Sequence, residues 1–218
     1  TLYDGDSLSH VLGWPIKRNP LRILVALLAT PSLGPMVAFL PTRRRGLTGY
    51  VWIGTFGLLG RRSSDAILDL YVATHQDEIR ERLLPIALDV LRDHRAAGDR
   101  VVIATGAPPE LARAILAFVT HQDVPVIGTA VGPRFGAMGA RRHCHNEEKV
   151  RMLQERGYGE IAVAYSDSSA DLPLLKAARA PVVVNPKAKR VAMFRSVLPP
   201  GTPILNWGCK DRGGDAVA

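Results

Sequence analysis

From about Asp89 onward, short β-branched runs alternate with helix-like stretches, and no other feature constrains the fold as much. Val101-Val102-Ile103-Ala104 precedes Thr105-Gly106 and a helix opened by Pro108-Pro109-Glu110, where a proline's missing N–H goes unmissed. Ile161-Ala162-Val163-Ala164-Tyr165 runs into Ser166-Asp167 and a helix through Leu172, Leu174 and Leu175. Pro181-Val182-Val183-Val184 makes a third such run. Strands alternating with helices predict an α/β fold with a parallel sheet covered on both faces. Ligands of such sheets bind beyond the carboxyl ends of the strands, and the chain's polar clusters fall at those ends.

There are four clusters: Asp4-Gly5-Asp6, Thr105-Gly106, Lys149, and Asp167 with Asp171. Asp4 and Asp6 are two apart, so on a strand they project to one side. Asp4 is placed to attack phosphorus, which splits a difficult displacement into two easier ones. Asp6 is placed to protonate the leaving oxygen and then to deprotonate a water. Two carboxylates facing a phosphate repel it, so a divalent cation is required. Asp167 adds a hard oxygen ligand of the kind Mg²⁺ prefers. Thr105 offers a hydroxyl, and the Gly106 and Ala107 amides lie at a helix start that favours anions. Lys149 adds a point charge for the phosphoryl oxygens. Together the clusters form a set for moving a phosphoryl group.

The segment from 10 to 88 breaks the alternation and reads as a mostly helical insertion, or cap. It divides a core of residues 1–9 and 89–218 between its first and second strands. A helix N-cap is expected near Ser64-Asp65. The chain carries 28 basic and 20 acidic residues, a formal net charge of +8. Between Ser7 and Ser64 there is no Asp or Glu, but there are eight cations: Lys17, Arg18, Arg22, Arg43, Arg44, Arg45, Arg61 and Arg62. The excess charge is therefore a property of the cap. The cap is also apolar, with uncharged stretches from Ile23 to Pro41 and from Gly46 to Gly60.

The four clusters resemble, in order and context, the four motifs of the haloacid dehalogenase (HAD) superfamily of phosphohydrolases, whose core is Rossmann-like. Cys144-His145-Asn146-Glu147-Glu148-Lys149-Val150 and the run from Tyr165 to Leu175 resemble the subclass that includes phosphoserine phosphatases. Arg18-Asn19-Pro20-Leu21 and Trp52-Ile53-Gly54-Thr55-Phe56-Gly57 are similar to the cap of the C-type phosphatidylglycerophosphate phosphatases, membrane enzymes of bacterial phospholipid synthesis. The resemblance implies Mg²⁺ held by the side chains of Asp4 and Asp167 and the backbone carbonyl of Asp6. It implies phosphate binding by Thr105, Gly106 and Lys149. Asp171 would orient Lys149 or assist at the metal. Leu8 stands where the superfamily places a threonine that steadies the acid/base aspartate, with Ser7 and Ser9 beside it.

A run of about 20 apolar residues can span a bilayer, so the uncharged stretches raise the question of a membrane, with segments 21–41 and 46–60 as the expected interface segments. Pro31 and Pro35 are expected to break a helix in mid-core. Basic clusters lie outside and between the two stretches, and cations prefer the anionic, cytoplasmic side. The expectation is a shallow interfacial hairpin that holds Arg43, Arg44, Arg45, Arg61 and Arg62 at lipid phosphates, with Trp52 at headgroup level. Such an enzyme would be peripheral or re-entrant at the cytoplasmic face of the bacterial inner membrane, hydrolysing a phosphorylated lipid. Two alternatives stay open: a soluble, cytoplasmic phosphatase of a phosphoserine- or phosphocholine-like metabolite, and a lipid-binding protein without turnover. Nucleic acid is not an expected partner, since long apolar runs between cations make a poor phosphate-tracking groove.

Two cysteines, Cys144 and Cys209, make no disulfide framework and suit a reducing compartment. His143-Cys144-His145 lacks a second ligand pair at zinc-like spacing. Only Thr1-Leu2-Tyr3 precede Asp4, fewer than the roughly five residues of an ordinary strand, so preceding residues are expected. The chain shows no signal-peptide pattern. The tail from Gly208 reads as a frayed terminus.

Overall fold

The computed structural model describes residues 2–5, 7–39, 42–57, 61–120 and 123–208, with the side chains of 7–10, 12, 43, 44, 61–67, 120 and 134 outside that description. The elements begin with helices α1 (Ser7–Lys17), α2 (Pro20–Ala38), α3 (Arg43–Thr55), α4 (Arg61–Thr74), α5 (Gln76–Arg82) and α6 (Pro85–Ala96). Then come β1 (Ile103–Ala104), α7 (Pro109–Thr120), β2 (Val126–Ile127), β3 (Ala130–Arg134), β4 (Ala137–Arg142) and α8 (Glu147–Glu155). The chain continues with β5 (Ile161–Ser166), a 3₁₀ turn (Ser169–Asp171), α9 (Leu172–Ala177), β6 (Ala178–Val184), α10 (Ala188–Val197) and β7 (Ile204–Leu205).

These elements form two compact units, one of Thr1–Gly5, Asp77–Gly128 and His143–Ala218, the other of Asp6–Gln76 and Thr129–Arg142. The sequence pattern set the far limit of the helical insertion at 88. In the structure α6 and most of α5 belong with the core, because Leu84, Ala87 and Leu91 are buried among strand residues. The β3–β4 hairpin, which the pattern left in the core, belongs with the helices.

The core unit is α/β, as expected, with parallel pairing throughout its ladders. β1 pairs with β2, Ile103 opposite Val126. β5 pairs with β6 from Ile161–Ala178 to Ser166–Val183, and β6 pairs with β7. One buried cluster draws on both sheets, joining Ile127, Ala164 and Val183 to Met152 and Leu153 of α8, Leu174 and Leu175 of α9, and Phe194 of α10. Each of these side chains larger than alanine contributes about 1.5–3 kcal/mol by leaving water. A second cluster, Leu84, Ala87, Val184 and Trp207, has Leu2 and Tyr165 against it. A third, Leu91, Leu116, Val124 and Val126, also takes Leu2.

The expected first strand does not form as a ladder. Tyr3 makes one isolated antiparallel bridge with Leu83. The reason lies in the hydrogen bonds: Asp4 N donates to Arg82 O at 2.7 Å and Leu84 N donates to Leu2 O at 3.0 Å. The segment before Asp4 is thus committed to the α5–α6 connection, while Leu2 anchors it to two core clusters.

In the helical unit, α2 begins where Asn19 Oδ1 accepts from the amides of Leu21 and Arg22 at 3.0 and 3.3 Å, an N-cap followed by proline. The helix runs unbroken through Pro31 and Pro35, against the expectation of a break. It is braced along its length by α3. At Gly46 an added Cβ would lie 2.8 Å from Val37 Cγ2 and 2.9 Å from Val37 N, and at Gly49 2.7 Å from Leu33 Cδ2. At Gly46, where the Val37 amide is backbone, that closeness is open only to glycine. The turn between the helices closes through Thr42 Oγ1, which donates to Met36 O at 2.9 Å. α4 starts at Arg61, so Ser64 lies inside a helix rather than at its cap. Trp14 of α1 meets Tyr71 of α4 edge-on, with ring centroids 5.7 Å apart.

Candidate active site

Strands β1 and β5 place Thr105 and Asp167 at their carboxyl ends. Thr105 follows β1, and its amide donates to Ile127 O at 2.8 Å, which extends the β1–β2 pairing by one residue. Its Oγ1 accepts from Ala107 N at 3.1 Å. The Ala107 amide, expected to face an anion, is therefore spent on Thr105. That bond leaves the hydroxyl proton of Thr105 available to an incoming oxygen. Around Gly106 the space is open: an added Cβ would meet only Cys144 O, at 3.9 Å. Gly128, after β2, is the reverse case, since a Cβ there would lie 2.5 Å from Ala107 O. The turn after β1, expected to cradle a phosphate, thus rests directly on the backbone of Gly128.

Lys149 sits in the first turn of α8 and is buried. Its Nζ lies 2.5 Å from Asp171 Oδ1. The other carboxylate oxygen, Oδ2, accepts from Ser166 Oγ at 2.7 Å, and Ser166 Oγ accepts from Ser168 N at 3.2 Å. Both oxygens of Asp171 are engaged, one by a cation and one by a hydroxyl. The end of β5, the 3₁₀ turn and α8 are tied together here. Ser166 is 2% exposed, and the sequence reading gave it no role of its own. Its signal was its place on the inward side of β5, next to Asp167.

Asp4 is 4% exposed, unusual for a carboxylate in any core. Gly5 follows with φ +94°, a left-handed conformation that glycine adopts without strain. Asp6 lies outside the described residues. Asp167 is half-buried, directly after β5. Among the described residues, no three His, Cys, Asp or Glu side chains form a group able to hold a metal ion. Cys144 of the discounted His-Cys-His run is fully buried, with its Sγ 3.9 Å from Ile127 O. Cys209 lies outside the described residues.

A second residue the sequence reading missed is Asn185, at the carboxyl end of β6. It is buried, has φ +47°, and its Oδ1 accepts from Trp207 N at 2.6 Å. The bond fastens the end of β6 to the chain after β7. Farther along the core, Tyr165 OH lies 2.9 Å from His94 Nε2, and His94 Nδ1 lies 2.7 Å from Asp99 Oδ2. Burial, with the Asp99 charge adding to it, raises the Tyr165 phenol above its ordinary value of 10.0.

The predicted lipid-contact residues belong to the other unit. Arg45 is exposed on α3. Trp52 is partly exposed, its Nε1 donating to Phe135 O at 3.0 Å and its ring tilted against Phe56. Arg43 and Arg44 open α3 and Arg61 and Arg62 open α4, with their side chains outside the described set.

The sequence profile of the haloacid dehalogenase-like hydrolases matches residues 1–176, and the chain belongs to that family. It is accordingly a hydrolase, and the phosphatase class expected from its sequence is the one this family and core support. No curated protein matches the sequence. Solved structures share the fold. A protein of unknown function from Bordetella pertussis Tohama I superposes with a TM-score of 0.57 at 23% identity, over 77% of this chain and 74% of that one. A phosphoserine phosphohydrolase-like protein from Francisella tularensis subsp. tularensis SCHU S4 gives 0.56 at 14% identity, over 91% and 90%. Cytosolic 5′-nucleotidase IIIB bound to cytidine gives 0.54 at 11% identity, over 88% and 70%. At these identities the likeness is one of fold.

Proposed function

We propose that this chain is a Mg²⁺-dependent phosphomonoesterase of a membrane lipid, with phosphatidylglycerophosphate as substrate and phosphatidylglycerol as product, at the cytoplasmic face of a bacterial inner membrane. The Asp4 carboxylate attacks phosphorus, the bond from phosphorus to the lipid oxygen breaks, and Asp6 protonates that oxygen. Water then attacks the aspartyl-phosphate, Asp6 takes its proton, and inorganic phosphate leaves Asp4. Thr105 Oγ1, the Gly106 amide and Lys149 Nζ hold the phosphoryl oxygens, and Asp171 keeps Lys149 in place.

The donor set suits a hard divalent cation. Asp4 and Asp167 offer carboxylate oxygens and Asp6 a carbonyl, while the thiol among the described residues, Cys144, is turned into the core. Asp171, held by Lys149 and Ser166, is not counted in that set. A bound Mg²⁺ would offset the repulsion between these carboxylates and the phosphoryl oxygens.

The observation that carries the lipid assignment is α2, a 19-residue apolar helix with none of its residues buried, in the same chain as this core. A soluble phosphomonoester is the competing substrate, favoured by the phosphoserine phosphohydrolase-like neighbour that aligns over 91% of this chain. Phosphate release from phosphatidylglycerophosphate in mixed micelles with Mg²⁺, beside phosphoserine and a nucleoside monophosphate, separates them. Turnover of the lipid alone, lost in Asp4→Asn or with EDTA, is the expected result. Preference for a soluble ester overturns the lipid assignment and keeps the chemistry. Lipid binding without turnover, from folded protein, leaves only a binding role.

A further inference from the structure

We infer that α2 lies flat within one leaflet of an anionic bilayer, with both of its ends at the same membrane surface, and does not cross. The inference rests on the lipid-phosphate reading and deepens it, by stating how the protein meets its surface.

At 19 residues the helix is about 28 Å long, so length alone permits a span. Its surface demands an apolar partner. Leu21 is 66% exposed, Leu24 53%, Leu27 65% and Leu28 74%, with Ile23, Val25 and Phe39 exposed as well. At 100° per residue these helical positions cover rather more than half of the circumference. The remaining face, with Leu33 and Val37, meets Gly46 and Gly49 of α3. The polar groups along the exposed arc are already satisfied: Thr30 Oγ1 donates to Ala26 O at 2.7 Å, and Ser32 Oγ donates to Ala29 O at 2.9 Å. A helix facing lipid needs its hydroxyls internally bonded in this way.

Two observations choose between lying flat and crossing. Cations stand at both ends, Lys17, Arg18 and Arg22 before and within the first turn, Arg45 after the last, and no acidic residue falls between Ser7 and Ser64. A crossing would carry one group to the far side, whereas a flat helix sets both groups against anionic headgroups. Next, α3 runs back antiparallel along α2: Gly46 meets Val37, Tyr50 OH lies 3.2 Å from Thr30 Oγ1, and Arg22 Nη2 donates to Phe56 O at 2.8 Å. With 13 residues, about 20 Å, α3 is too short to return across a hydrocarbon core of about 30 Å. Trp52, Phe56 and Phe135, exposed together near the first end of α2, suit headgroup depth.

The test uses the full chain with Cys209→Ser, carrying either Lys17→Cys or Arg45→Cys, added to preformed vesicles of phosphatidylglycerol and phosphatidylethanolamine. Sedimentation with these vesicles is expected to exceed that with pure phosphatidylcholine at least tenfold. A membrane-impermeant maleimide is expected to label both positions equally, with no increase on adding detergent. Protection of either position until detergent is added overturns the inference in favour of a span. Equal binding to phosphatidylcholine overturns the anionic surface. Absence of binding to any vesicle, together with concentration-dependent dimerisation, assigns the apolar arc to a second copy. Leu24→Asp with Leu28→Asp is expected to lower vesicle binding tenfold or more while p-nitrophenyl phosphate turnover stays unchanged. None of these readouts requires turnover of the lipid, so a failed substrate assignment and a failed topology give different results.

Discussion

Lys149 and Asp171 form an ion pair with Nζ 2.5 Å from Oδ1, the two side chains 6% and 12% exposed. The pair joins α8 to the turn after β5, and Ser166 Oγ holds the second carboxylate oxygen at 2.7 Å. Low exposure makes the pair costly to break from one side, because the remaining charge is stranded. Asp171→Ala is expected to destabilise the protein by about 3–5 kcal/mol, read from denaturant melts. Asp171→Asn, which keeps an acceptor for Ser166, is expected to lose less stability and to lower kcat/KM by weakening the hold on Lys149.

Asp4 is expected to be indispensable to turnover and dispensable to the fold. Asp4→Asn removes the proposed nucleophile with no change in side-chain size, and phosphate release is expected to fall to background while the circular dichroism spectrum is preserved. Asp6→Asn should keep the nucleophile and lose acid/base help, a loss of roughly 10²–10⁴ in kcat. Loss of the fold in Asp4→Asn would mean that Asp4 is structural.

The α/β class and the carboxyl-end placement of Thr105 and Asp167 were legible because strand and helix periodicities are local and survive without tertiary context; Lys149 instead stands in the first turn of α8. What was not legible depends on contacts distant in sequence. The segment before Asp4 looks like a strand, but its hydrogen bonds go to Arg82 and Leu84. Pro31 and Pro35 read as helix breakers, yet Gly46 and Gly49 let α3 support the helix through both. The β3–β4 hairpin joins the helical unit through Met138 N, which donates to Thr55 Oγ1 at 3.0 Å across 83 residues. Ser166 and Asn185 act through short hydrogen bonds that composition cannot display.

Alkaline stability should carry a signature of Tyr165. Burial first and the Asp99 charge second raise its phenol above 10.0, so the folded state holds this proton more tightly than the unfolded state does. The resulting stability is fully present below about pH 10, the unfolded value, and is lost as pH rises through the folded value. Denaturant melts from pH 9 upward should show this loss in the native protein. The difference between native protein and Tyr165→Phe should shrink with rising pH, and equal slopes for the two would dismiss the assignment.

Gly128 tests whether the cradle turn depends on the strand beside it. An alanine methyl there would sit 2.5 Å from Ala107 O and 2.8 Å from Pro109 N, both backbone atoms that a side-chain rotation cannot relieve. The turn that presents Thr105 and Gly106 must move, at a cost of about 1–3 kcal/mol. Gly128→Ala is expected to raise KM for a phosphomonoester and to weaken inhibition by inorganic phosphate, beyond its effect on melting. Gly106→Ala supplies the contrast, since its nearest neighbour is Cys144 O at 3.9 Å. That variant should melt near the native temperature and lose phosphate affinity only through its methyl group's intrusion on the cradle. If Gly128→Ala lowers stability and leaves phosphate inhibition untouched, the turn is rigid without its neighbour, and the support drawn from Gly128 is merely structural.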